Sequence, residues 1–284
     1  MSTSSVDLAR PKTRARPRPS RLPGVPAVPA AARFRPGPRV LSPLALLALW
    51  QLASSTGVLP ERLLAAPATV AGTAVSLAAE GTLGEAVAIS LQRAFAGFLI
   101  GAAAGLALAL LAGLSRPGEH VVDPPMQMLR ALPLFGLIPL FILWFGIGET
   151  PKVVLVAFGV LFPVYLNTYA GIRGVDAKLA EVGRVLRLGR AALIRHIVLP
   201  GALPQTLVGV RQSLGVAWLA LIVAEQINAS SGLGFMINDA REFLRIDVVV
   251  LGLLVYALLG LATDGLVRLL ERRALSWRRG LLGD

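Results

Sequence analysis

Residues 176–204 read DAKLAEVGRVLRLGRAALIRHIVLPGALP. The segment is basic and amphipathic, and it lies between two long apolar stretches. Read as a helix, Leu179, Val182 and Leu186 recur at i, i+3 and i+7 and make one apolar stripe. Lys178, Glu181 and Arg184 stand three apart on a polar face, a spacing that lets Glu181 pair on both sides. Leu188-Gly189 reads as the turn that ends this helix. A second short helix over 190–198 then runs into Leu199-Pro200. A membrane protein that places such a segment in its largest loop offers a surface to a soluble partner.

The surroundings of the segment set the class. Of 284 residues, 55% are hydrophobic and 15% charged, where a soluble domain averages about a quarter charged. That deficit and the long uncharged runs predict an all-α integral membrane protein. A net charge of +12 would suggest nucleic acid in a soluble protein. Here the basic residues cluster between and outside the apolar runs, the pattern of anchoring at the cytoplasmic face, and no nucleic-acid partner is expected. There is no Cys, which excludes disulfides, thiol catalysis and cysteine metal sites. His120 and His196 are the only histidines and stand far apart, so no metal site is expected.

Three regions follow. Residues 1–40 hold nine Lys or Arg, eight Pro and one acid, Asp7, too little apolar surface to fold, and read as a disordered cytoplasmic tail. Residues 41–272 form the transmembrane domain, and 273–284 a basic cytoplasmic tail. About six spans are predicted, at 41–59, 86–113, 125–147, 152–172, 203–225 and 248–268, each near the roughly 20 residues a bilayer needs. The run 41–59 lacks a small-residue cleavage site, so it is read as a retained helix rather than a signal peptide. With the N-terminus inside, the loop 173–202 is cytoplasmic and carries Arg173, Lys178, Arg184, Arg187, Arg190 and Arg195. The C-terminal Arg272, Arg273, Arg278 and Arg279 fall on the same side, while Glu61, Glu80 and Glu149 fall on the other, as the positive-inside rule asks. Pro133, Pro139 and Pro163 lie inside predicted spans and are expected to kink them. Gly97, Gly101 and Gly105 recur every four residues and predict close helix packing.

The loop resembles the EAA loop of binding-protein-dependent ABC importer permeases, in which Glu-Ala-Ala, a Gly and Ile-x-Leu-Pro stand at fixed spacing. Glu181 holds the Glu position, and Ile197, Leu199 and Pro200 close the motif. Val182 and Gly183 replace the two alanines, and Arg187 stands at the expected Gly, with Gly189 two residues on as the substitute turn. More widely the chain is similar to the aliphatic sulfonate, taurine and nitrate permease subfamily. The carrying residues are Ser90-Leu91-Gln92-Arg93, Arg130-Ala131-Leu132-Pro133, the run from Pro139 to Gly148 that includes Trp144 and Phe145, Tyr165-Leu166-Asn167-Thr168, Ala224-Glu225 and Gly232-Leu233-Gly234. The resemblance implies a MetI-like permease fold in a bacterial inner membrane, with both termini cytoplasmic. It implies a cytoplasmic ABC ATPase dimer, a periplasmic or lipid-anchored solute-binding protein and a second permease copy as partners. Leu179, Glu181, Val182, Gly183, Arg184, Leu186, Gly189, Ile197, Leu199 and Pro200 would then dock the ATPase. The solute would be an alkanesulfonate, taurine or a similar small oxyanion, with nitrate, bicarbonate or a pyrimidine precursor as alternatives.

The sequence independently places ATP hydrolysis elsewhere. A phosphate-binding loop needs a Gly-rich turn followed by Lys and Ser or Thr. The only lysines are Lys12, Lys152 and Lys178, and none follows such a turn. No enzyme activity is therefore expected, and ATP and magnesium belong to a partner chain. Ionisable residues inside spans are functional candidates by default. Arg93 could attract an oxyanion, snorkel to an interface, or hold a neighbouring helix. Glu225 reads as a gate or hairpin anchor, Arg211 as a snorkelling side chain, and Asp264 with Arg268 as an i, i+4 pair. Trp144, Phe145, Tyr165, Asn167 and Trp218 complete the pathway candidates. A secondary transporter would need internal symmetry and paired intramembrane acids, a membrane enzyme a convergent nucleophile, base or metal set, and a channel no ATPase; the sequence provides none of the first two sets, and its loop predicts the partner.

Overall fold

The computed structural model describes residues 36–276; the predicted tail over 1–35 and the last eight residues lie outside them. Eleven α-helices make up the described chain, with no strand among those residues. They are α1 (Pro36–Ser55), α2 (Pro67–Ala79), α3 (Thr82–Leu114), α4 (Arg116–Leu129), α5 (Ile138–Phe145), α6 (Glu149–Arg173), α7 (Ala177–Val185), α8 (Arg190–Leu193), α9 (Leu199–Asn228), α10 (Leu233–Glu242) and α11 (Ile246–Ala274). A 3-10 turn, Leu134–Leu137, precedes α5, and a π-helix, Ile194–Val198, joins α8 to α9.

Among the described residues, four helical runs are long and apolar enough to cross a membrane: α3, α6, Arg190–Ile227 and α11. A fifth arises if α4 and Leu134–Phe145 are taken as one span bent by 90°. The six expected spans differ from this in two places. α1 covers 20 residues, within which Leu41–Ser55 is an apolar stretch shorter than those of the four long helices, and the apolar helix α2 follows it. The predicted span 125–147 is broken. Leu132 precedes a proline, which disfavours helical backbone there, and Pro133 is extended at φ −67°, ψ 111°. The 3-10 turn then restarts the chain, with Gly136 N–H donating to Pro133 O at 2.9 Å. Pro139 sits in the first turn of α5, where its missing N–H breaks no helix bond. Pro163 remains inside a continuous α6.

The core is the sandwich of α3, α6 and α9. Small residues let the backbones meet. A Cβ at Gly101 would lie 2.2 Å from Ala157 O, and one at Gly105 2.6 Å from Leu161 O, so the predicted glycine stripe is the seam between α3 and α6. On the other face of α6, Gly209 of α9 approaches Pro163 O and Gly159 of α6 approaches Val216. Leu155, Val156, Val160, Trp218, Ala220 and Leu221 fill the space between, all buried. The tight connection from α5 to α6 uses Gly146 at φ +75°, with nothing within 4 Å of its missing Cβ; backbone conformation rather than space requires glycine there.

Candidate functional site

The loop that follows α6 builds a small amphipathic unit. Asp176 starts α7 by accepting Lys178 N–H on Oδ1 at 2.9 Å, an N-cap arrangement. One face of α7 packs inward through Gly183, whose missing Cβ would lie 2.5 Å from Leu193 Cδ1 and 3.1 Å from Ile197 Cδ1. The opposite stripe stays open. Leu179, Val182 and Leu186 are exposed, and Val185 joins them at 82% exposure. Glu181 is exposed and makes no ion pair with Lys178, so the expected brace on that side is not formed. Leu199 is partly exposed, and Pro200 stands where the π-helix passes into α9, so its missing N–H leaves one bond of that continuous helix unmade.

The turn after α7 is not made where the sequence placed it. Gly189 has φ −64° and precedes α8 in extended backbone. The left-handed residue is Arg187, at φ +54°. Leu188 N–H donates to Gly183 O at 2.9 Å, which is the 6→1 bond of a Schellman cap with Arg187 at the position that glycine usually holds. A side chain there costs about 1–2 kcal/mol. Arg187→Gly is therefore expected to stabilise the end of α7 by about 1 kcal/mol, read as slower amide hydrogen exchange over 183–188 with no change elsewhere.

The second constellation is a buried ionic knot at the α10 end of the bundle. Arg93, on α3, uses all five of its N–H donors. Nη1 donates to Glu225 Oε1 at 2.7 Å and to Ser231 O at 2.7 Å. Nη2 donates to Glu149 Oε1 at 2.8 Å and to Ser231 Oγ at 3.1 Å, and Nε to Glu149 Oε2. Glu225, 1% exposed, also accepts from Ser90 Oγ, from Gly234 N–H at 2.8 Å and from Tyr256 OH at 2.8 Å. Ser90 Oγ in turn accepts Leu233 N–H at 2.8 Å. Buried Lys152 donates to Glu149 at 2.9 Å. Two cations face two carboxylates, so the knot is neutral. It ties α3, α6, α9, α10 and α11 together. Of the three roles open to Arg93, the geometry realises the helix-holding one; it has no donor left for a further oxyanion. Glu225 anchors the turn from α9 into α10.

The other pathway candidates separate by exposure. Trp144 and Phe145 are exposed on α5. Asn167 sits between α6 and α9, donating to Gln212 Oε1 at 3.0 Å and accepting from Gln205 Nε2 at 2.8 Å. Tyr165 is fully buried, donates to Asp123 Oδ1 at 2.9 Å and stacks on Tyr169. Trp218 lies in the core, where Nε1 donates to Thr263 Oγ1 at 3.1 Å. Arg211 is paired: Nε donates to Asp264 Oδ1 at 2.6 Å across α9 and α11, and Arg268 joins the same carboxylate. Glu119, pairing with Tyr169 and Arg173, and Asp123 were not singled out by sequence; their i, i+4 placement on α4 is the only local sign of a shared face.

The chain is similar to known proteins. Residues 97–276 match the binding-protein-dependent transport system inner membrane component family. A protein of Bacillus subtilis (strain 168), described as an aliphatic sulfonates transport permease, is 46% identical over 89% of this chain and 94% of its own length. Its counterpart in Escherichia coli (strain K12) is 51% identical over 83% and 89%. The taurine transport system permease protein of Escherichia coli (strain K12) is 36% identical over 77% and 78%. Among solved structures, an amino acid ABC transporter superposes with a TM-score of 0.56 at 23% identity, covering 66% of this chain and 92% of that one. The MetNI methionine ABC transporter in an inward-facing form superposes at 0.54 and 21%, covering 66% and 95%.

Proposed function

The chain belongs to the binding-protein-dependent transport system inner membrane component family and is the multi-pass membrane permease of an ATP-binding cassette importer; we propose that the solute it carries is an alkanesulfonate. The observation that supports this solute is the ordering of the relatives: the two described as aliphatic sulfonate permeases stand at 46% and 51% identity, the taurine permease at 36%.

Coupling to the ATPase runs through α7. Its exposed apolar stripe lies outside the spans, where water would otherwise contact it. Its inner face is braced by Gly183 on α8 and the π-helix, which continue without a break into α9. A push on α7 is thereby delivered to a helix of the core. The stripe enters a groove of the ATPase, with Leu179, Val182 and Leu186 as apolar contacts and Glu181 as the polar one. Two copies of the chain form one pathway at their interface; with α1 as a sixth crossing, both termini are cytoplasmic, as the basic loop and C-terminal arginines ask. ATP and magnesium are held by the partner. Closure of the ATPase dimer switches the pathway between inward and outward access.

The test is ATP-driven uptake into vesicles holding this permease, its ATPase and its binding protein, with a short alkanesulfonate, taurine and nitrate compared. Alkanesulfonate uptake that requires all three proteins is expected; preference for nitrate or taurine would replace the proposed solute. Glu181→Arg is expected to lower both ATPase co-purification and uptake by at least about tenfold, the effect of losing one interface hot spot of about 1.4 kcal/mol or more. Wild-type values for both would remove α7 as the docking element.

A further inference from the structure

We propose that Arg130, at the break between α4 and the 3-10 turn, is an oxyanion-binding residue of the translocation pathway. The inference rests on the permease reading above and gives it a recognition element for the solute's acidic group. Three observations meet at this residue.

The first is depth. The break is bracketed by two contacts with the interior of α6. On one side Tyr165 OH donates to Asp123 of α4; on the other Leu134 Cδ2 lies 3.1 Å from the position a Cβ would take at Gly159. At a rise of 1.5 Å per residue, Gly159 is about 15 Å from one end of α6 and about 21 Å from the other. Tyr165 is about 12 Å from its nearer end. Gly159 also meets Val216, in the middle of α9. Arg130, between Asp123 and Leu134 in the chain, therefore sits within the membrane's apolar depth and not at its surface.

The second is pairing. The other cations within the spans have partners: Arg93 with Glu149 and Glu225, Lys152 with Glu149, Arg211 and Arg268 with Asp264. Among the described residues Arg130 makes no ion pair and its side chain makes no hydrogen bond, and it is exposed. The nearest acid along α4, Asp123, is already engaged by Tyr165 and Gln127. A lone guanidinium facing lipid at this depth is disfavoured by at least about 2.5–3.5 kcal/mol.

The third is backbone. Residues 130–133 leave the α-helix and are exposed. Irregular backbone at membrane depth is tolerated only where it lines water or is covered by protein. Both the backbone and the unpaired charge are accounted for if this corner lines an aqueous path. A sulfonate is a monoanion with three acceptor oxygens, and the planar guanidinium donates to two of them at once. Transient pairing suits a pathway residue better than the closed knot around Arg93, which has no donor to give.

The chain has no cysteine, so Ala131→Cys, at the exposed neighbour, places one thiol in this chain beside an intact Arg130, and adding Arg130→Gln to the same variant should remove any protection by the anion. The reconstituted complex is treated with 2-sulfonatoethyl methanethiosulfonate, an anionic thiol reagent that itself carries an alkanesulfonate. Labelling that excess ethanesulfonate slows is expected; an unreactive thiol, or labelling indifferent to ethanesulfonate, overturns the proposal. In parallel, Arg130→Gln is expected to lower alkanesulfonate uptake at least about tenfold, with Arg130→Lys in between. Recovery of the ATPase-bound complex at wild-type level serves as the folding check. Wild-type uptake by Arg130→Gln overturns the proposal. If the wild type carries nitrate instead and Arg130→Gln loses it, oxyanion recognition by Arg130 stands and the alkanesulfonate reading falls. If it carries none of the three solutes, that reading falls and the labelling result alone decides Arg130.

Discussion

Replacing Glu225 by alanine is expected to leave little folded protein in the membrane fraction. Glu225 is buried and accepts hydrogen bonds from Ser90, Arg93, Gly234 and Tyr256. Its removal strands the buried Arg93 with half its countercharge and leaves the Gly234 N–H and Tyr256 OH without their acceptor. Breaking one side of a buried ion pair typically costs about 3–5 kcal/mol, and each orphaned buried donor adds about 1–3 kcal/mol. That sum approaches the whole stability of an ordinary domain. Glu225→Gln keeps an acceptor for part of the set and is expected to fall between. Tyr256→Phe, which removes one donor to a carboxylate, should lose about 1.5–3 kcal/mol. The order Ala, Gln, then Tyr256→Phe is read from recovered monodisperse protein and its melting temperature in detergent. Wild-type recovery of Glu225→Ala would show that the knot does not hold the helices. The pair variant Arg93→Met with Glu225→Leu removes both charges, and should recover part of the loss, giving a coupling energy of about 1–3 kcal/mol in a double-mutant cycle.

That knot marks where sequence reading stopped. Ser90, Arg93, Glu225, Gly232, Leu233 and Gly234 all stood in motifs, yet nothing local joined them. Arg93 pairs with residues 56 and 132 positions away, whereas helical periodicity reports only neighbours within a few turns. Charge alone made Arg93 an anion-binding candidate; only its five filled donors show that it is occupied. The reverse holds for Arg130, whose motif was visible but whose lack of a partner is a tertiary fact. Hydropathy over 125–147 averages composition and is blind to direction, so it reports one span where Pro133 turns the chain. The seam of Gly97, Gly101 and Gly105 was legible because i, i+4 spacing defines a face before any partner is known. The apolar stripe of α7 was legible for the same reason. The cap at Arg187 was not, since the nearby Gly189 is the better sequence candidate for left-handed backbone, and the 6→1 bond to Gly183 decides otherwise.

The seam also yields the other large effect, and its sign is set by what lies opposite each glycine. Gly101→Val is expected to abolish the folded bundle. A Cβ there would lie 2.2 Å from Ala157 O and 2.9 Å from Ala157 Cα. Those are backbone atoms of a helix interior, so no side-chain rotation relieves the contact; α3 and α6 must separate. The same two helices carry Arg93 and Glu149, so separation also pulls on their paired guanidinium and carboxylate. Overpacking alone costs about 1–3 kcal/mol, and loosening the knot adds to it. Gly105→Ala, facing Leu161 O at 2.6 Å, should be severe but milder. Gly97→Ala, facing chiefly the Val156 side chain at 2.6 Å, should be milder again. Gly72→Ala and Gly84→Ala lie on helices with nothing within 4 Å, and there the gain in helix propensity should stabilise by up to about 1 kcal/mol. The five variants are ranked by melting temperature and by ATPase co-purification. A Gly101→Val protein that melts like Gly84→Ala would mean that α3 and α6 do not pack along this seam in the membrane.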